Sequence, residues 1–128
     1  MVEPTAVDRL WAVRGATTVA HNDAADVIGA TEELMGKLIE RNGLEPGRMV
    51  SCIFTSTADL NAEFPAVAAR NVGLEQVPLL CAREIDVPGA MRSVIRVLVH
   101  YYGPADHEPV HTYLGKAQEL RSDLQAAQ

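Results

Sequence analysis

The chain has 128 residues, 48% of them hydrophobic and 22% charged, with a net charge of −6. That size and balance fit one domain around a real core and exclude a wholly disordered chain. The acidic balance argues against nucleic acid or an anionic membrane as the main partner, and no apolar run approaches the ~20 residues of a membrane span.

Residues 1–8 read as a loose leader, and MVEPTAVDRLW lacks the basic-then-apolar order of a secretory signal. Leu10–Val13 is a short apolar run ending in Arg14. In the RGATT that follows, Gly15 allows a bend or a close approach of the backbone to something. Asn22 or Asp23 can cap a helix on which Val27, Ile28, Thr31, Leu34, Met35, Leu38 and Ile39 share one face, with Asn42-Gly43 as the stop.

Met49–Thr55 reads as a buried strand. A polar loop follows, and Pro65 opens a short helix, Pro65–Val72, that Gly73 closes. Gln76–Ala82 is a third strand, and Pro78 marks an edge without a neighbour near that position. Arg92–Tyr102 is the fourth strand and Val110–Leu114 a fifth, shorter one. Residues 115–128 carry weak signals and are expected to form a partly mobile tail. The result is a single α+β domain over 1–128, a mixed five-stranded sheet with two helices on one face. Two helices cannot cover such a sheet, so its open edges and face point to self-association.

The two cysteines, Cys52 and Cys81, sit in strand-like runs and read as reduced thiols of a cytoplasmic protein. No acid or histidine motif near Cys81 supports a nucleophile. His107 and His111 have the i, i+4 spacing of a metal-binding helix, but Pro109 lies between them and no third ligand is evident, so no metal is expected. RGATT lacks the glycine spacing of a nucleotide-binding loop, and no cofactor is expected.

Charges on apolar strands are the informative feature. SVIRVLV, residues 93–99, reads as a strand buried on both faces with Arg96 inside it. Glu84 follows the third strand, Arg14 ends the first, and Tyr113 lies on the fifth. One reading is a structural Arg96–Glu84 ion pair with Arg14 on the surface. The other is a pocket of two cationic forks, a carboxylate and a phenol, suited to a small polyanion bearing a hydroxyl.

Four segments together, AVRGATTV, FTSTADLNAEFPAVAAR, VPLLCAREIDVPGAMRSVIRV and VHTYLGKAQELRSDL, resemble the AroH class of monofunctional chorismate mutases from about Trp11 to Leu124. The resemblance implies a homotrimer whose sheets form a barrel-like core, a pseudo α/β-barrel, with active sites between subunits. It implies rearrangement of chorismate to prephenate, toward phenylalanine and tyrosine, without cofactor or metal. By position, Arg14 matches the arginine that binds a substrate carboxylate. Glu84 and the backbone N–H of Cys81 match the groups that hold the ring hydroxyl, and Arg96 the arginine that reaches the ether oxygen. Tyr113 matches the tyrosine beside a carboxylate. Phe64, Ala66, Leu79 and Leu120 match pocket-lining positions, with Leu80 where a threonine can occur, and Arg70 and Arg121 match nearby basic residues. On this resemblance the counterpart of Arg96 is a substrate oxygen, not a residue of the chain. Departures are one residue fewer between Arg70 and Cys81 and between Arg96 and Tyr113, Val67 where a lysine can occur, and Pro88 stiffening the connector after Glu84. Two rival readings are a trimeric hydrolase of imines or enamines with an arginine at a subunit cleft, and a non-catalytic module that binds a small carboxylate.

Overall fold

The computed structural model describes residues 8–121. Five strands and two helices follow in the order the sequence pattern implies: β1 (Asp8–Thr18), α1 (Ala24–Asn42), β2 (Met49–Ser56), α2 (Pro65–Asn71), β3 (Leu79–Arg83), β4 (Val94–Pro104) and β5 (Thr112–Tyr113). They form one mixed sheet in the order β3-β2-β4-β1-β5. The pairs β1–β4 and β2–β4 are antiparallel, and β1–β5 and β2–β3 are parallel. Pro78 precedes β3, an edge strand, where a missing N–H costs no ladder bond.

Both helices lie on one face. Val27, Leu34, Met35 and Leu38 of α1 and Ala66 and Ala69 of α2 pack against Val13, Cys52, Phe54, Ile95, Val97 and Val99 of the sheet. Each fully buried aliphatic side chain contributes about 1.5–3 kcal/mol, so this layer holds the fold. Helix α1 starts where the Asp23 carboxylate accepts from the Asp26 N–H and ends at Gly43, a left-handed cap with φ 60°. No helix of the described residues is long and apolar enough to cross a membrane.

Three expectations change. First, β1 is one continuous strand through Gly15, with Arg14 inside it. A Cβ on Gly15 would lie 2.8 Å from Leu38 Cδ1, 3.0 Å from Leu34 Cδ1 and 3.1 Å from Val97 Cγ1. The glycine is there because α1 presses on the strand, and no bend forms. Second, β4 is covered on one face only. Its odd residues are buried, and Arg96, Leu98 and His100 lie on the face away from the helices. Third, β5 has two residues instead of five. The Asn42 side chain takes both backbone groups of Val110, accepting its N–H at 2.7 Å and donating to its carbonyl at 3.0 Å. A side-chain amide thus replaces the ladder there.

The segment expected to be a mobile tail begins as a 3₁₀ turn, Gly115–Glu119. Its Ala117, with Leu120, packs on Ala16 and Val94 and covers one end of the otherwise open face. The tail beyond residue 121 lies outside the described residues, as does the leader up to residue 7.

Candidate active site

The sheet register sets one row across all five strands. Tyr113 pairs with Ala16, Ala16 with Arg96, Arg96 with Thr55 and Thr55 with Ala82. Paired residues share a face, so the row lies on the face without helices. Arg14 stands two residues from Ala16 on that same face, diagonal to Arg96. Arg14, Thr55, Arg96 and Tyr113 line one cleft, floored by Ala16, Ile53 and Leu98.

Glu84, just past β3, reaches into this row. Arg96 Nε donates to Glu84 Oε2 at 3.0 Å, and Thr55 Oγ1 donates to the same oxygen at 2.9 Å. The Glu84 side chain is 15% exposed and that of Arg96 38%. This corrects the expectation that Arg96 has no counterpart within the chain. An arginine half out of water on an apolar sheet needs a counter-ion, and Glu84 supplies it. The pair is incomplete as a fork, however. Among the described residues, both bonds fall on Oε2, which leaves Oε1 and the two Nη groups of Arg96 for something else.

Arg14 is held through its backbone. Its N–H donates to His111 Nδ1 at 3.1 Å, so the imidazole extends the β5 side of the ladder by one residue. Burial, and then the neighbouring Arg14 charge, lowers the His111 pKa. Both favour the neutral ring, which the bond requires because Nδ1 must accept.

The remaining candidates fall elsewhere. Phe64, 68% exposed, and Leu80, 60% exposed, stand out from the β3 edge of the molecule. Phe64 and Cys81 line a second cleft with Glu63 and Arg83. Glu84 N–H donates to Ser56 O, and Cys52 N–H to Pro78 O, each at 3.0 Å. Inward bonds alternate along a parallel ladder, so the amides of Leu79, Cys81 and Arg83 point off the free edge. The Ala66 side chain is buried in the core, and Leu79 packs against that core. The helix and strand turn these two positions toward the core. Arg70 is exposed on α2. Leu120 packs beside Tyr113 and Met91, and Arg121 is exposed next to it. A single chain therefore gathers Arg14, Glu84, Arg96 and Tyr113 but leaves Phe64, Leu80 and Cys81 at its edge.

Sequence reasoning missed Thr55 and His111. Thr55 carried a usable signal, since strand alternation puts it on the face of Ile53. His111 carried none, because its role depends on where β5 ends. Burial, with Cys81 nearby, pushes the Cys52 thiol up to about 12, so it is no nucleophile at neutral pH.

Residues 10–124 match the family model described as chorismate mutase type I. The chain is similar to the chorismate mutase AroH of Thermus thermophilus, with 44% identity over 118 residues, 91% of this chain and 97% of that one. It is similar to the AroH of Bacillus subtilis at 37% over 114 residues, 88% and 90% of the two chains. A solved chorismate mutase from Clostridium thermocellum has a TM-score of 0.81 and 45% identity, covering 86% of this chain and 99% of that one.

Proposed function

The chain belongs to the type I chorismate mutase family, and from that premise we propose that its helix-free sheet face rearranges chorismate to prephenate, an isomerase step of aromatic amino acid biosynthesis. The observation that carries this reading is the Arg96–Glu84–Thr55 cluster beside Arg14 and Tyr113. Neither rival reading has an observation in its favour.

The rearrangement breaks one C–O bond as a C–C bond forms, so it asks for no nucleophile and no proton transfer. It asks for a compact conformer and for positive charge at the ether oxygen, where electron density builds. The uncommitted Nη groups of Arg96 supply that charge from a fixed strand and need no reorganisation during the reaction. Glu84 Oε1 and the Cys81 amide take the ring hydroxyl. Arg14 and Tyr113 take carboxylates, which selects the reactive conformer.

Cys81, Phe64 and Leu80 complete this site from a second copy of the chain. Two features support self-association with sites between subunits, and the family resemblance makes that assembly a homotrimer. Phe64 and Leu80 are exposed, and the open face is apolar, with Ile53, Leu98 and the exposed Leu10. The free thiols of Cys52 and Cys81 support a reducing compartment, the cytoplasm. Purified protein added to chorismate should remove the diene absorbance, and an Arg96→Lys variant should not. Persistent chorismate with folded wild-type protein would sink the reading.

A further inference from the structure

We propose that Asp59 is a positioning residue for the Arg96–Glu84 pair, acting by holding Ser93 in a left-handed backbone conformation.

Ser93 has φ 58°, and among the described residues it is the one non-glycine with positive φ. A side chain disfavours that conformation, and it persists only where the surroundings impose it. Asp59 imposes it. One carboxylate oxygen accepts from the Ser93 N–H at 3.3 Å, and the other accepts from Ser93 Oγ at 2.8 Å. Partial burial works to raise the Asp59 pKa. Hydrogen bonds from Thr57 and Ser93 outweigh it and hold the group down to about 2, so the clamp is ionised at neutral pH.

The place of this clamp gives it a consequence. The connector from Glu84 to Ser93 joins the two members of the ion pair, and both its ends are tied to the residues leaving β2. At one end, Glu84 N–H donates to Ser56 O at 3.0 Å. At the other, Thr57 N–H donates to Val94 O at 3.1 Å, and Val94 N–H donates to Thr57 Oγ1 at 3.0 Å. Ser93 also accepts from the Val19 N–H at 2.9 Å, so its orientation joins β1 to the start of β4. Arg96 lies three residues beyond it. Asp59 and Glu84 line one cavity together with Asp86 and Arg92 of the connector. If Ser93 relaxed to negative φ, the connector would leave β4 in another direction, and Glu84 would lose its position over Arg96.

The inference rests on the reading that Arg96 and Glu84 meet the substrate. The test is a double-mutant cycle on the full chain, read as kcat and KM per folded enzyme, well below the unfolding midpoint. Asp59→Ala should lower kcat by about 10-fold or more, as small misplacements of reacting groups do, with KM changed less. In a Ser93→Gly background, where positive φ carries no penalty, most of that loss should disappear. Asp59→Asn, which keeps one acceptor oxygen, replaces Asp59→Ala should the latter not fold. A lower unfolding midpoint with unchanged kcat would make Asp59 merely structural and overturn the proposal. A loss that Ser93→Gly does not reduce would overturn it as well. Normal turnover in an Arg96→Lys variant would instead strike the reading beneath it, so the two failures are distinguishable.

Discussion

Arg96 meets Glu84 through one bond, Nε to Oε2 at 3.0 Å, and among the described residues the outer edge of its guanidinium takes no other hydrogen bond. The resting site thus balances its own charge and still presents an electrophilic face. A bidentate fork would have spent one of the Nη groups on the carboxylate as well.

Arg96→Lys should lose most of kcat while the fold persists. An ammonium is a point charge, and it cannot bond Glu84 on one side and a substrate oxygen on the other. Loss of a fixed donor of this kind costs about 10²–10³ in rate. Chorismate decay and circular dichroism on the same sample check it; near wild-type turnover would remove Arg96 from the chemistry.

Thr55→Val should lower kcat/KM several-fold and leave the unfolding midpoint within a few degrees. The variant keeps the shape but removes the 2.9 Å bond to Glu84 Oε2. A single such bond is worth about 1 kcal/mol, up to about 3 where the acceptor is charged. Glu84 would then be steered by Arg96 alone. Steady-state kinetics read the effect, and no change would mean that Arg96 suffices to place the carboxylate.

Gly15→Ala should destabilise the fold by about 1–3 kcal/mol, the usual range for overpacking. The new methyl would meet Leu38 Cδ1 at 2.8 Å, and α1 must shift or repack. Urea unfolding measures it. A variant as stable as the wild type would show that the two leucines move aside without cost.

Cys81→Ser should keep substantial activity, because the expected contribution of Cys81 is its backbone N–H at the free edge of β3. Complete inactivation with an intact fold would reopen a role for the thiol.

Two groups set pH dependences of the same sign in separate windows. Asp59 has a folded pKa of about 2, below its ordinary 3.8, so the stability it contributes is full above the ordinary value. It is lost as pH falls from there through about 2. His111 has a folded pKa below its ordinary 6.5. The unfolded chain therefore binds the proton first, and stability drops as pH falls below 6.5. His111→Gln should flatten the unfolding midpoint in that upper window, and Asp59→Asn should flatten it in the acid one. Midpoints against pH for the three proteins separate the contributions, and an unchanged slope in either window would dismiss the group assigned to it.

Helix α1 was legible because seven residues share one face and both caps are local chemistry. Arg96, Glu84 and Arg14 were legible as charges out of place on apolar strands. The open face was not. Ile53 and Leu98 stand on it beside Arg96, and apolar residues on both sides of a strand look alike whether a helix or another molecule meets them. The length of β5 was hidden for another reason. Asn42 is 68 residues from Val110, and no local pattern reveals a side chain that takes over a strand's bonds.

The row from Tyr113 through Ala16, Arg96 and Thr55 to Ala82 fixes where this chain tolerates changes in length. One residue inserted within β1, β2 or β4 would turn that strand's member of the row toward the helices. The same insertion in a turn between strands leaves the row intact. Length variation therefore belongs to the connections, outside the Glu84–Ser93 strap, while each strand must keep its count.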